Sequence, residues 1–381
     1  MIQLEIGIVG VHIASHSEVF KKTVRDAVYD CTKGLLQHLG IGKDDIDTIV
    51  TASSDYYQGI SCSNSYYFEA TASYLKDSTK VEGNSIHAFM YALMRILSGH
   101  FDTALVLSVT KSTEIPQISA LANISSDPFY QRSIGICDVT AAALQAAKYM
   151  EIGAKEEDFA EVCVKNLKNA FYNEKAYRKM LITVEDVLDS PYIATPLREL
   201  ECPAHCDGVC ALLIATKEKA KEICKNSLTE PAWVAGVGWS SESYFLGDRD
   251  LIKSQALKKA SERAFKMAGI ENPLKEIDVA EISDTFAPQE LLWFENIFSK
   301  SGIDAIRDGL TSIDGELPVN PSGGSLATNP PIARGLLRVA EAALQIMDVA
   351  GACQVEDVNT ALAHEAYGVG GQHHAVVVLR R

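Results

Sequence analysis

The sequence lacks any run of eighteen or more apolar residues, so it predicts no membrane-spanning helix. Its opening, Met1 to Gly10, lacks the basic start and small-residue cleavage site of a secretion signal and reads as a first strand. The closing residues Val378, Leu379, Arg380 and Arg381 match no common sorting tail. The expected compartment is the cytoplasm. Positive charge is scarce: 35 Lys and Arg against 50 Asp and Glu leave a formal net charge of −15. That balance argues against a broad nucleic-acid surface, which needs clustered basic residues. An anionic ligand would need a local basic patch or helix N-termini. Nine cysteines without a secretion signal read as free thiols. Cys202, His205, Cys206 and Cys210 crowd into one short segment, and no second ligand pair follows at zinc-ribbon spacing. Buried thiols are expected there, and no metal site.

What is present is a long globular chain. With 381 residues, 47% of them hydrophobic, it can bury one large core or two similar cores packed together. Strand-like runs at 4–13, 47–52 and 103–109 alternate with helical spacing at 19–39 and 85–98. This β-α-β order predicts a layered α/β fold around a buried sheet. Residues from about 111 to 203 differ, with helical stretches at 139–150 and 159–171 and Pro-containing connections, and read as a helical insertion. Strand character returns at 208–216 and 232–238. A second round follows, with helices at 251–268, 289–298 and 333–347 and strands at 279–282, 360–364 and 375–379. A Gly/Pro-rich loop spans 317–331. The similar order of the two rounds suggests a duplication, with one half at 1–245, insertion included, and the other at 246–381.

Four segments carry a family resemblance. They are Val81-Glu82-Gly83-Asn84-Ser85-Ile86-His87-Ala88, Glu281-Ile282-Ser283-Asp284-Thr285-Phe286, the stretch from Asn320-Pro321-Ser322-Gly323-Gly324-Ser325 to Asn329-Pro330, and Ala361-Leu362-Ala363-His364 followed by Gly368-Val369-Gly370-Gly371. In this order they resemble the sterol-carrier-type branch of the thiolase superfamily. Ser190–Leu197 and Asp207-Gly208-Val209 resemble the end of the family's loop domain. The resemblance implies a duplicated α/β thiolase core in five layers, α-β-α-β-α, with a helical loop-domain insertion. It places Ser85 at the position of the nucleophilic cysteine, at a helix N-terminus of the kind that stabilises a thiolate. Ser283 and Asn329 stand where the family has histidines.

Those departures bear on the chemistry. Serine needs a nearby base to act as a nucleophile, and Asn329 cannot take a proton at neutral pH. Claisen chemistry through an acyl group on residue 85 is therefore not expected. Ser85, Ser283 and Asn329 can still hold a thioester oxygen by hydrogen bonds. His364 and Tyr367, near the Gly-rich turn, are the candidates for moving protons, with His373 and His374 behind them. The similar retro-aldolases of steroid side-chain breakdown also lack the cysteine and use tyrosines. His87 falls on a different helix face from Ser85, and Asp284 reads as a group that fixes loop backbone. Arg132 and Arg178, with Lys179 and Arg198 beside them, are candidates for the phosphates of coenzyme A, and Gly324 and Ser325 are further candidates for binding it.

The resemblance implies a coenzyme A thioester as substrate, no covalently bound cofactor, and a homo- or heterodimer with a thiolase-like chain. Members of this branch also associate with a small partner carrying a zinc ribbon and an OB-fold. Two functions stay open. One is carbon–carbon bond making or breaking on an acyl-CoA, of aldol or Claisen type, without a catalytic cysteine. The other is a non-catalytic subunit of a heteromeric acyl-CoA-processing complex.

Overall fold

The computed structural model describes residues 4–14, 16, 20–115, 118–225 and 229–381. Nine strands carry the fold: β1 Ile6–Ile13, β2 Thr48–Ser53, β3 Asp77–Glu82, β4 Thr103–Thr110, β5 Gly208–Thr216, β6 Ala232–Ser241, β7 Val279–Glu281, β8 Thr360–Tyr367 and β9 His373–Arg380. They hydrogen-bond in the order β3-β2-β4-β5-β1-β6-β9-β8-β7. Parallel pairs β2–β3, β2–β4 and β7–β8 lie towards the ends, and antiparallel pairs lie between. The first five strands and the last four meet only where Gly7 and Ile8 pair with Trp233 and Ala232.

The principal helices are α1 Val24–Leu39, α2 Ser85–Leu97, α3 Asp138–Met150, α4 Glu156–Tyr172, α5 Lys217–Cys224, α6 Gln255–Ala268, α7 Ala287–Phe298 and α8 Arg334–Ile346. Strand periodicity sorts them into layers. On β4, Ala104 and Val106 join one core with α2 and α8, while Leu105 and Leu107 join another with Val28 and Leu35 of α1. On β9, Ala375 and Val377 face the α2–α8 core, and Val376 and Val378 face Leu257 of α6 and Leu291 of α7. The result is α1 and α5, the first set of strands, α2 and α8, the second set, then α6 and α7: a duplicated α/β core in five layers. Every residue of α8 after Arg334 is buried, as expected of a helix covered on all sides. The insertion supplies α3 and α4, and α4 packs on α7. Among the described residues, no helix is long and apolar enough to cross a membrane.

Some boundaries differ from the sequence reading. The helix expected from residue 19 begins at Val24, capped by Thr23; Val19 itself lies outside the described residues. Strand β3 is polar (Asp77, Ser78, Thr79, Lys80, Glu82), so no apolar pattern announced it; it survives as an edge strand pairing on one side only. Strand β8 runs to Tyr367 rather than stopping at 364. Glu365 interrupts the apolar pattern but keeps its place in the ladder opposite Ala375, because its carboxylate meets Arg334.

Candidate active site

Helix α2 begins at a tight turn. Gly83 has φ +92°, and Asn84 caps the helix by accepting from the Ile86 N–H at 3.1 Å. The same side chain donates to Glu365 on β8 at 3.0 Å. Ser85 is fully buried. Its N–H donates to the Ile332 carbonyl at 3.1 Å, and its Oγ accepts from the Leu336 N–H at 2.8 Å. The hydroxyl thus ties α2 to the first turn of α8. Gly335 permits this approach, since a Cβ there would sit 2.1 Å from Asn84 Oδ1.

The loop at 320–330 is braced from below by buried charge. Glu281 accepts from Ser322 N–H at 3.1 Å and Ser322 Oγ at 2.7 Å, and Arg338 Nη1 reaches it at 2.6 Å. Burial pushes Glu281 up to about 7, against the pull of Arg338. Asp284 accepts from the Ser325 and Leu326 N–H groups, and so fixes loop backbone. Gly324, at φ +66°, leaves room for it: a Cβ would lie 1.9 Å from Asp284 Oδ2. Ser325 is buried there too. Ser283 is buried, with Oγ 3.5 Å from Thr285 Oγ1. From α4, Lys165 pairs with Glu290 at 3.0 Å, and Asn169 and Asn173 donate to the Asn320 and Ser322 carbonyls. The insertion therefore props this loop.

Strand parity separates the two candidates on β8. Glu365 and Tyr367 lie on the face turned to α2 and α8; His364 lies on the other. The His364 ring is buried, stacks on His374 with centroids 5.4 Å apart, and sits edge-on to Trp293. Tyr367 is half-buried. It meets the His87 ring of α2 edge-on at 5.3 Å and stacks on His373 at 4.6 Å. Ser241 Oγ lies 2.7 Å from His373 Nδ1. Arg334, at the start of α8, pairs with Glu365 and donates to the Ala366 carbonyl at 3.0 Å. Asn329 is buried beside His205, its Nδ2 3.2 Å from His205 Nδ1. Arg178 Nη1 donates to the Cys202 carbonyl, and Arg132 donates to the carbonyls of Asn123, Ile124 and Ser126. Both guanidinium groups are thus engaged within the chain.

This layout can be set against known proteins. Residues 238–381 match the thiolase C-terminal domain-like family. An acetyl-CoA acetyltransferase of Methanothermobacter thermautotrophicus is 29% identical over 384 residues, covering 96% of this chain and 97% of its own. The acetyl-CoA acetyltransferase of Methanocaldococcus jannaschii is 30% identical over 350 residues, covering 88% of each. The chain belongs to the thiolase superfamily. Sterol carrier protein 2 of Oryctolagus cuniculus is 30% identical over 234 residues, covering 60% of this chain and 42% of its own, and the same fold is seen in the solved Ltp2-ChsH2(DUF35) aldolase, which superposes with a TM-score of 0.83 at 22% identity and covers 100% of this chain and 98% of that one.

In this thiolase-superfamily chain the acid–base groups cluster around Tyr367 rather than Ser85. Burial, then the Glu365 charge, raises the Tyr367 pKa, so it is a phenol at neutral pH. Burial holds His87 down to about 4, helped by His373, and both rings stay neutral at pH 7. Asp138 and Tyr57 lie within electrostatic reach of Arg334, and burial raises both pKa values. Two grooves of about 580 and 630 Å³ open near Leu4 and Met267, but neither is lined by a histidine or tyrosine. Neither groove is lined by a residue of the Tyr367 cluster.

Sequence reasoning missed Arg334, Glu365 and Asn84 as a set. Asn84 carried a legible signal, a capping residue just before a helical run. A lone Arg in a Gly/Pro-rich stretch carried none. His205 was weighed only as a zinc ligand.

The His87 shift gives a pH prediction. Its folded pKa lies below the unfolded value near 6.5, so its stability contribution is full above that pH and is lost as the pH falls towards 4. His87→Gln should leave the melting temperature at pH 7 within a few degrees of wild type and flatten its decline between about pH 6.5 and 4. Parallel melting curves for the two proteins would refute this attribution.

Proposed function

We propose that this chain binds an acyl-CoA thioester and makes or breaks the carbon–carbon bond next to it by aldol-type chemistry, without an acyl-enzyme on Ser85. The observation that carries the reading is Tyr367, held between the His87 and His373 rings at the N-terminal end of α2, beside the buried Asn84–Glu365–Arg334 network. In the bond-forming direction the phenol protonates the new alkoxide oxygen; in cleavage the Tyr367 oxygen, as its phenolate, takes the hydroxyl proton, the carbon–carbon bonding pair passes to the thioester enolate, and water protonates the α-carbon. The acetyltransferase relatives support a coenzyme A thioester as substrate, and the aldolase title of the solved structure supports the aldol alternative to acyl transfer. That title also names a two-component assembly, which supports a small partner subunit beside this chain. The half-exposed edge strand β3, with Tyr74 and Leu75 exposed just before it, suits pairing with a second thiolase-like chain.

The test is a panel of 3-hydroxyacyl-CoA thioesters incubated with the protein and its co-purified partners, with release of the shortened acyl-CoA followed by mass spectrometry. Cleavage of none, with binding intact, would favour the other reading, a non-catalytic subunit. That reading draws on Ser85 Oγ being committed to α8. In either case the intact protein should gain no mass with acetyl-CoA or acetoacetyl-CoA, because among the described residues no base bonds the Ser85 hydroxyl, whose oxygen accepts from the Leu336 N–H. An acyl group mapped to Ser85 would overturn the reading.

A further inference from the structure

We infer that His205 supplies the imidazole of this site and donates a hydrogen bond from Nε2 to the oxygen of the bound thioester; this deepens the proposed function and rests on it. The geometry is set by backbone first. Asn329 N–H donates to the Ala204 carbonyl at 3.0 Å, and Cys206 N–H donates to the Asn329 carbonyl at 3.2 Å, so residues 205 and 329 form a parallel bridge. Their side chains then meet, Asn329 Nδ2 lying 3.2 Å from His205 Nδ1. An amide N–H on Nδ1 makes that atom the acceptor and leaves the ring proton on Nε2. No described group bonds Nε2, and the His205 side chain is exposed. Asn329 is fully buried, and its Oδ1 has no partner among the described residues. That oxygen is an acceptor, open to a water or to an N–H or O–H of the substrate and not to the thioester oxygen itself.

The charge around the ring suits the role. Residue 205 reaches solvent at one edge, yet burial of most of its ring, then Arg334 and Arg178, hold His205 down to about 4, so the ring is neutral at physiological pH. A neutral imidazole N–H can polarise a carbonyl without first losing a proton to solvent, and the two guanidinium groups favour negative charge developing on the oxygen. As the enolate forms, the electron pair of the breaking bond at the α-carbon moves into the bond to the carbonyl carbon, and the carbonyl π pair moves onto the oxygen that His205 bonds. The segment at 329, where the resemblance sets a histidine, thus holds an amide that orients an imidazole from the neighbouring strand connection.

The probe is acetyl-CoA labelled with carbon-13 at the carbonyl, observed by difference infrared spectroscopy on the full chain with its co-purified partners. The carbonyl band should lie lower when bound than when free. His205→Ala should return it to the free position while calorimetry still shows binding, and added imidazole should restore the shift. His205→Phe, which keeps the ring's bulk without a donor, should behave as His205→Ala does. In the turnover assay both should lower kcat by about a hundredfold or more with KM little changed, the usual scale for one oxyanion donor. An unaltered shift in His205→Ala or His205→Phe would overturn the assignment. So would an unshifted band in the wild type with binding intact, which leaves the proposed function standing. Failure to bind acetyl-CoA or any 3-hydroxyacyl-CoA would sink the proposed function, and this inference with it.

Discussion

Tyr367→Phe should cut turnover of the true 3-hydroxyacyl-CoA substrate by roughly a hundredfold or more, the usual scale for losing a general acid or base. The phenol lies at the junction of α2 and β8, flanked by His87 and His373. The ring contacts survive in the variant, so the fold should too. Losing one part-buried hydroxyl costs about a kcal/mol. His364→Ala is the informative companion. Its ring lies on the opposite face of β8, packed on His374 and Trp293, so truncation should act on stability before activity. Removing a buried ring of that size costs about 3 kcal/mol. Steady-state kinetics on the assembled protein, with denaturant unfolding of each variant, separates the two effects. Full activity in Tyr367→Phe would remove the tyrosine from the mechanism. A Tyr367→Phe protein as inactive as His364→Ala but equally unstable would point to folding instead.

Arg338→Met should destabilise the chain by about 3–5 kcal/mol at pH 8, the cost of stranding a buried partner charge. Arg338 is 2% exposed and pairs at 2.6 Å with Glu281, which is 0% exposed. Glu281 in turn holds both the N–H and the Oγ of Ser322 in the 320–330 loop. The pH dependence identifies the cause. Burial places the folded Glu281 pKa near 7, above its unfolded value, so its contribution is most favourable at low pH and is lost as the pH rises through 7. Without Arg338 that pKa rises further. The deficit of the variant should then be largest at pH 8 and shrink towards pH 5, where Glu281 is protonated in both proteins. Denaturant midpoints at the two pH values measure it. A deficit below about 1 kcal/mol, or one unchanged with pH, would mean the pair does not brace the loop as described.

The sequence by itself determined a good deal of this protein. Near-continuous apolar runs on β4 and β9 called for cover on both faces of each strand set, and the repeated order of strands and helices called for a layered α/β core. Asn84 followed by a helical run placed Ser85 at a helix start, and the Gly/Pro-rich stretch before α8 placed a tight loop. These are local properties, written in periodicity and in capping and turn chemistry, and they do not depend on distant residues. The site is a different matter. Period two says that His364 and Tyr367 point to opposite faces, but only the packing of α2 and α8 puts Tyr367 on the face shared with Asn84 and Arg334. The pairs that define the site join residues far apart in sequence: Asn84 to Glu365 across 281 positions, His205 to Asn329 across 124, Arg334 to Glu365 across 31. Each requires two strands or helices to arrive at a fixed distance and register. That is decided by how the layers close on one another, since no local preference of either residue specifies its partner.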